Sequence, residues 1–171
     1  MQSPDIHICL DINGTDVTIR TMAVEGKEIE SEFVRNLSDE SRYYRFHSAL
    51  KELTPELLDR FTHVKYPENM ALIATIRLAG KEQQIAVARY AKYPERDAAE
   101  VAVVVADAWQ SCGLGERLLI EIRNIALDAG IHELHMSVLA ENRKMIKLAH
   151  KLGYHTKRID DVTSRELGKP I

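Results

Sequence analysis

The sequence has few of the residues that mark several common protein classes. Two cysteines, Cys9 and Cys112, occur far apart among its 171 residues, so neither a disulfide framework nor a zinc site built on cysteines is expected. No apolar run approaches the roughly 18 residues of a membrane-spanning helix, and the N-terminal segment lacks the basic and apolar regions of a secretion signal. We therefore expect a protein of the reducing cytoplasm that does not associate with membranes.

Glycine and proline are also scarce, with 8 and 5 residues, and they form no linker. Repeats and low-complexity tracts are missing from the sequence as well. The apolar fraction of 45% and the charged fraction of 29% are ordinary for a globular protein, and the length suits one domain. We expect residues 1–171 to form that single domain, with residues 1–14 as an N-terminal strand or hairpin extension.

An excess of basic charge is missing too, because 23 basic residues stand against 26 acidic ones, for a net charge of −3. Non-specific nucleic-acid binding needs a net basic surface and is not expected. Charge is nevertheless uneven along the chain. Residues 141–158 carry six basic residues and one acidic residue, whereas residues 25–40 carry six acidic and two basic residues. Taken alone, both segments are compatible with solvated helix faces.

Local patterns predict a mixed α/β fold with helices on both faces of a sheet. Asn13-Gly14 between two alternating runs is typical of a hairpin turn, and Ser38 and Thr54 stand as N-caps before helical patterns. Strands are predicted at 6–12, 16–21, 70–78, 84–93, 100–106, 133–139 and 154–159. Helices are predicted at 24–37, after Ser38, after Thr54, at 115–129 and at 142–152. The strand over 100–106 is expected to be covered on both faces.

The segment Val103–Gly115 carries chemistry that can be read from the residues themselves. A β-branched strand leads into Gln110-x-x-Gly113-x-Gly115, and an amphipathic helix follows. Glycines at such a turn let backbone N–H groups converge on an anion at the positive end of the helix dipole. The segment has neither the Gly-Lys-Ser/Thr of a Walker loop nor the three-glycine dinucleotide pattern. It predicts a phosphate-binding loop, with a plain helix entry as the alternative.

The element order around this loop resembles the GNAT superfamily of N-acetyltransferases over about residues 15–160: strand, QxxGxG loop, long helix, strand, helix with Asn142, then Leu152-Gly153-Tyr154. The resemblance implies acetyl-CoA as cosubstrate and a mixed, mostly antiparallel sheet that is splayed at the acetyl-CoA site. In that family the loop holds the pyrophosphate, the preceding strand binds the pantetheine and the helix asparagine contacts the cofactor arm. The implied cofactor-binding residues are Val103, Val104, Val105, Gln110, Ser111, Cys112, Gly113, Leu114, Gly115, Glu116, Asn142 and Met145.

The N-terminal half narrows the resemblance to the catalytic domain of Pat-type bacterial protein lysine acetyltransferases. It does so through residues 37–46 (LSDESRYYRF), residues 53–62 (LTPELLDRFT), Tyr66 and residues 70–74 (MALIA). This implies acetylation of the Nε-amine of a protein lysine, with acyl-CoA synthetases as one candidate acceptor. Pat-type domains are usually fused to a cyclic-nucleotide-binding or synthetase-like domain, for which 171 residues leave no room. The expected partners are acetyl-CoA or CoA, a protein acceptor and, as an open possibility, a second copy of the chain in a homodimer.

Glu100 opens an apolar strand and is the expected catalytic residue. A lysine ammonium must lose a proton before its nitrogen attacks a thioester, and the Pat-like pattern implies that Glu100 is the general base. We expect its carboxylate to be partly buried; a charge at a strand edge is the alternative role. Ala149 stands where many relatives carry a tyrosine, so the general acid is unassigned. Tyr154 is expected to pack in the core.

The other polar residues near the motif are not expected to take part in the chemistry. Cys112 contributes its backbone N–H, and Glu116 points to solvent. His132 and His135 lie on opposite faces of a strand, so no metal site is expected. The basic residues of 141–158 are expected to meet the 3′-phosphate of CoA, and the acidic residues of 25–40 to attract a cationic lysine segment. Four residues of the second predicted helix are expected either to line the substrate entrance or to serve helix packing and surface charge: Arg42, Tyr43, Arg45 and Phe46.

Two other functions stay open at this point. One is a small-molecule amine acetyltransferase of the same fold. The other is a non-catalytic acyl-CoA-binding regulatory module, although a carboxylate at position 100 favours an enzyme over such a module.

Overall fold

The computed structural model describes residues 2–158 and 163–171. Within these ranges, eight strands form one sheet in the order β1-β2-β3-β4-β5-β6-β8-β7. The strands are β1 His7–Ile12, β2 Thr15–Thr21, β3 Asn69–Leu78, β4 Lys81–Lys92, β5 Ala98–Val105, β6 Glu133–Leu139, β7 His155–Arg158 and β8 Ser164–Pro170. Five α-helices lie along the described chain: α1 Lys27–Asn36, α2 Asp39–Phe46, α3 Pro55–Thr62, α4 Leu114–Asp128 and α5 Arg143–Lys151. None of these helices is long and apolar enough to cross a bilayer.

The predicted turns and caps are present. Asn13 and Gly14 adopt φ values of 53° and 81° and link β1 to β2. The Ser38 side chain caps α2 by accepting a hydrogen bond from the backbone N–H of Ser41 at 3.1 Å. Thr54 caps α3 in the same way. These contacts join residues close in sequence, which is why the sequence pattern predicts them.

The sheet is mixed and mostly antiparallel, as the GNAT resemblance implies. Among the described strands, β5 and β6 are the parallel pair, and they pair over Ala98–Glu100 and Glu133–His135. β5 continues to Val105 in register with β4. The two parallel strands therefore diverge beyond Glu100 and leave a gap in the sheet, which is the predicted splay.

Helices cover both faces of the sheet. On the face called here the α4 face, α4 and α5 pack over a core that includes the fully buried Leu118 and Ile122. On the opposite face, the α1 face, α1, α2 and α3 pack over a smaller core with Phe33 and Ile73. Strand side chains alternate between the faces, so neighbouring residues of β5 belong to different cores.

β5 is less covered than predicted. Ala98, Ala99 and Val101 are buried, but the strand is half-buried from Ala102 to Val105. The cause is a cavity that lies against this end of the strand. Three apolar residues on α3 are half-buried as well: Leu57, Leu58 and Phe61.

The C-terminal part of the sheet differs from the prediction. β7 is shorter than the predicted strand, whose last residue, Ile159, lies outside the described residues. The strand β8, which inserts between β6 and β7, was not predicted. Its sequence, SRELGKP, has a single large apolar residue, the fully buried Leu167. A strand that carries three charged residues and ends in proline lacks the apolar alternation that identifies strands.

One carboxylate is buried under the α1 face. Glu30 of α1 is 1% exposed, and its Oε1 accepts a hydrogen bond from Nη2 of Arg89 on β4 at 2.8 Å. Its other oxygen accepts from the Gln84 side-chain amide. The Arg89 guanidinium also stacks on Phe61 at 4.3 Å from the ring centre. α1, α3 and β4 are thus joined through one ionic group.

We predict that Glu30→Gln lowers the free energy of unfolding by about 3 kcal/mol, because it leaves a buried guanidinium without a counter-charge. Urea unfolding measures the change. Glu32→Gln is the matched control, since Glu32 lies exposed on the same helix and its substitution is expected to stay within about 0.5 kcal/mol of wild type. Equal effects of the two substitutions on the free energy of unfolding would contradict the role of Glu30 as the counter-charge of Arg89.

Candidate active site

The gap between β5 and β6 opens into a cavity of about 1560 Å³. One part, called here the loop half, is lined by the loop Gln110–Gly115 and by α5. The other part, the Glu100 half, is lined by residues of α2, α3, β4 and β5, namely Arg45, Phe46, His47, Arg60, Phe61, Arg89, Ala91, Glu100 and Ala102. The two halves meet along the diverging end of β5.

Hydrogen bonding between β4 and β5 decides which backbone groups face the gap. The Ala98 carbonyl accepts from Tyr93 N–H at 2.9 Å, and Ala106 N–H donates to the Ile85 carbonyl at 2.8 Å. In an antiparallel ladder, alternate residues direct both backbone groups to the same partner. The even-numbered residues of β5 therefore face β4, and the odd-numbered ones face the gap.

Val103 and Val105 are thus the predicted pantetheine-binding residues whose backbone groups point into the gap. Val104 is different, because its backbone groups point to β4 and its side chain packs against the α1-face core. All three residues line the cavity, but the ladder favours the two odd-numbered ones for backbone contacts.

The loop before α4 has the geometry of an anion-binding turn. Ser111 and Gly113 adopt φ values of 61° and 86°, and the first hydrogen bond at the start of α4 runs from Arg117 N–H to the Gly113 carbonyl at 3.0 Å. The preceding N–H groups of the first helical turn have no acceptor within the helix. A Cβ on Gly115 would lie 3.4 Å from Cγ2 of Val105, so glycine keeps the turn close to β5. Leu114 is buried and fixes the start of the helix.

A second set of hydrogen bonds fastens this loop to α2. The Gln110 amide donates to Oγ of Ser41 at 3.1 Å and to the Val105 carbonyl at 3.2 Å. Asp107 accepts from the hydroxyls of Ser38 and Ser41 at 2.6 and 2.8 Å. Burial acts to raise the pKa of Asp107, but these hydrogen bonds outweigh it and lower the pKa. The Gln110 side chain therefore holds the loop, rather than extending to a ligand.

α5 lines the loop half with one cap and several cations. The Asn142 side-chain oxygen caps α5 by accepting from Met145 N–H at 3.1 Å, and both residues line the cavity. The exposed cations along this wall are Arg143, Lys144 and Lys147. The predicted contact of Asn142 with the cofactor arm would share this oxygen with the cap.

Two residues of the loop region have partners within the protein. Glu116 was expected to point to solvent, but its Oε2 lies 2.6 Å from Nζ of Lys151 on α5. The sequence could not predict this, because the pair joins two helices. The pair reduces the negative charge near the anion-binding turn. The Cys112 thiol donates to the Trp109 carbonyl at 2.8 Å, which leaves its backbone N–H in the loop.

Glu100 lies at the last position of β5 that pairs with β6, between Ala91 of β4 and His135 of β6. It was expected to be partly buried, but it is exposed in the cavity. Its small neighbours, Ala91 and Ala102, leave space beside it. Tyr154 is 2% exposed and packs in the α4-face core, as expected.

Of the two histidines expected on one strand, only His135 lies on β6. His135 is 7% exposed, and its Nδ1 lies 3.0 Å from Oε1 of Glu166 on β8, while His132 precedes the strand. Across residues 2–158 and 163–171, no cluster of three or more potential ligands is suited to a metal ion.

Several cavity residues were not predicted from the sequence. Arg42 turned out to brace the start of α2 through the carbonyls of Arg35 and Leu37, whereas Arg45 and Phe46 line the cavity. Lining residues that sequence reasoning missed include Tyr44, His47, Arg60 and Arg89. They come from separate elements, and their sequence contexts carry no shared spacing that could have grouped them.

Comparisons with known proteins agree with this architecture. Residues 31–154 match the acetyltransferase (GNAT) family. The chain is 32% identical to acetyltransferase PA5475 of Pseudomonas aeruginosa over 149 residues, which span 87% of this chain and 80% of that protein.

Solved structures show the same fold. The GNAT domain of S. lividans PAT has a TM-score of 0.87 and 30% identity, over 99% of this chain and 100% of that one. A cAMP-binding acyltransferase from Mycobacterium smegmatis has a TM-score of 0.64 and 25% identity, over 98% of this chain and 48% of that one. The second likeness therefore concerns about half of the mycobacterial protein.

We predict that Asn142→Ala lowers the free energy of unfolding by about 1 kcal/mol, because α5 loses its N-cap. Asn142→Ser, which restores a capping oxygen, is expected to recover most of that stability and the affinity for CoA. Thermal unfolding and calorimetric titration with CoA measure both properties. A serine variant that is stable but binds CoA as weakly as the alanine variant would show that the asparagine acts by direct contact instead.

Proposed function

The chain belongs to the GNAT acetyltransferase family, whose cosubstrate is acetyl-CoA, and from this premise we propose that it acetylates the Nε-amine of a protein lysine with Glu100 as the general base. The observation that carries the proposal is the location of Glu100. It is the last residue of β5 paired with β6, it is exposed in the cavity, and it forms no hydrogen bond or ion pair among the described residues.

The loop half fits acetyl-CoA in three respects. The turn at Ser111 and Gly113 offers free N–H groups for the pyrophosphate. The N–H and carbonyl groups of Val103 and the N–H of Val105 face the gap, where they can bond the amides of the pantetheine arm, whereas the Val105 carbonyl already accepts from Gln110. The cations of α5 stand where negatively charged phosphates would be stabilised, with Lys144 and Lys147 exposed along that wall.

Glu100 would act on the incoming amine. Bound acetyl-CoA supplies the thioester, and the lysine ammonium approaches it through the Glu100 half of the cavity. The Glu100 carboxylate accepts the proton from the ammonium, and the neutral nitrogen then attacks the thioester carbonyl. As the C–S bond of the adduct breaks, the nitrogen loses its second proton, and water passes a proton to the departing thiolate, because Ala149 has no proton to give and Tyr154 is buried away from the cavity.

A protein acceptor is favoured by the likeness to the S. lividans PAT domain and by two exposed carboxylates of the cavity lining, Glu40 and Glu141. Carboxylates in this location attract a basic segment and raise its association rate. We propose cytoplasmic proteins as acceptors, with acyl-CoA synthetases among the candidates.

We predict that Glu100→Gln lowers kcat at least 100-fold, as expected for loss of a general base, while the Kd for acetyl-CoA stays near wild type. CoA release on a lysine peptide panel measures turnover, with polyamines and free amino acids as competing acceptor classes. Asp97→Asn is the control, because Asp97 is exposed three residues earlier and lies outside the cavity lining. A kcat within threefold of wild type would remove Glu100 from the mechanism.

The α5 cations give a separate prediction. The Kd for acetyl-CoA is expected to rise several-fold between about 0.1 M and about 1 M salt, since the screening length falls from about 10 Å to about 3 Å. Replacing Lys144 and Lys147 together by glutamine should flatten this dependence, whereas Lys81→Gln, in the distant β4 hairpin, should not. A Kd that does not vary with salt would exclude a role for these lysines.

A further inference from the structure

The Glu100 half contains more positive than negative charge. Three arginines, Arg45, Arg60 and Arg89, line it, and the carboxylates associated with them are Glu100 and the buried Glu30. Nη2 of Arg89 donates a hydrogen bond to Oε1 of Glu30 at 2.8 Å, and the two side chains form an ion pair. One internal carboxylate is therefore already engaged, and this half keeps an excess of cations.

Of the two cations of this half that form no ion pair among the described residues, Arg45 and Arg60, Arg45 is the less exposed. It stands at the end of α2, with its guanidinium 5.1 Å from the ring centre of Phe46 and 5.8 Å from that of Phe61. Among the described residues it forms no hydrogen bond and no ion pair. Burial first, and then the charge of Arg89, lower the pKa of Arg45 to about 10, so it remains a cation at neutral pH.

Glu100 does not neutralise Arg45 in this structure. The two groups influence each other electrostatically, yet they are farther apart than the 4.0 Å of an ion pair. Glu100 also has to be free to receive a proton from the acceptor amine if it is the base. The arrangement leaves the Arg45 guanidinium beside two aromatic rings, without an ion pair, in the lining of the Glu100 half.

We propose that Arg45 binds a carboxylate carried by the amine acceptor, so that this acetyltransferase selects amines with an acidic group close to the acetylated nitrogen. The inference rests on the proposed function and names its acceptor more closely. The carboxylate has two sources with the same chemistry: an acidic side chain next to the target lysine in a protein, or the α-carboxylate of a free amino acid.

The physical reasons are charge balance and geometry. An isolated ammonium that enters beside Arg45 meets a like charge in a half-buried site, which disfavours its binding. A carboxylate on the same acceptor removes that penalty by pairing with Arg45. A guanidinium held by aromatic contacts presents a flat set of donors that matches a carboxylate in a two-point hydrogen bond. Glu100 then remains free to accept the proton of the amine.

The test compares acceptors that differ by one charge. Matched peptides carry a lysine flanked by glutamate or by glutamine, and free lysine is compared with lysine amide. For the wild type we expect the acidic member of at least one pair to have a kcat/KM about tenfold higher, the scale of a hydrogen bond to a charged group. The ratio should approach one in Arg45→Gln and be partly kept in Arg45→Lys. The peptide and amino-acid pairs distinguish the two sources of the carboxylate.

Each variant is its own control, because both members of a pair are measured on the same protein. Thermal unfolding and the Kd for acetyl-CoA check that Arg45→Gln folds. Arg60→Gln removes an exposed cation from the same half and is expected to keep the ratio of kcat/KM values. This control separates direct binding of the carboxylate by Arg45 from a general effect of positive charge in this half.

Four outcomes overturn the proposal. A wild-type ratio near one for every pair removes the inference alone, and so does a ratio that survives Arg45→Gln. A preference for succinyl-CoA over acetyl-CoA that depends on Arg45 would assign the carboxylate to the acyl group instead of the acceptor. If the wild type acetylates no amine at all, the proposed function falls, and this inference falls with it.

Discussion

The site depends on the point at which parallel pairing between β5 and β6 stops. Three residue pairs join these strands, ending at Glu100 and His135, while β5 stays paired with β4 up to Val105. Backbone groups that would otherwise be used by β6 are thereby left for a ligand, and an unpaired backbone group requires some partner. The same divergence opens the sheet, so that material bound on the α4 face can reach a carboxylate on the α1 face. Cosubstrate and acceptor can meet only because this ladder is short.

α2 holds the two halves of the cavity in a fixed relation. Its N-terminal serines, Ser38 and Ser41, bond to Asp107 and Gln110 and so fix the loop that precedes α4. Its last turn carries Arg45 into the Glu100 half. A helix of eight residues therefore links the anion-binding turn to the acceptor side. This gives a physical reason for the serines of the LSDESRYYRF segment, whose hydroxyls serve the loop as well as the cap.

The parts of this structure that the sequence predicted are those set by neighbouring residues. The turn at Asn13-Gly14, the caps at Ser38 and Thr54, and the glycine turn before α4 depend on short-range hydrogen bonds and allowed φ values. The parts that it missed join distant segments. β8 has too few apolar residues to stand out, the Glu116–Lys151 pair links two helices, and the exposure of Glu100 follows from a gap between strands. Neither pairing partners nor gaps can be read from periodicity.

The cavity lining carries charges of both signs. Glu40 and Glu141 are exposed carboxylates, whereas Arg45 is half-buried in the same half as one free carboxylate, Glu100, and Arg89 is already paired with Glu30. A purely basic segment would leave Arg45 without a counter-charge, and a purely acidic one would be repelled by Glu40, Glu141 and Glu100. On the proposed assignment, an acceptor with an ammonium and a carboxylate close together provides a partner for each sign. The net charge of −3 does not describe this arrangement, because recognition depends on where the individual charges lie.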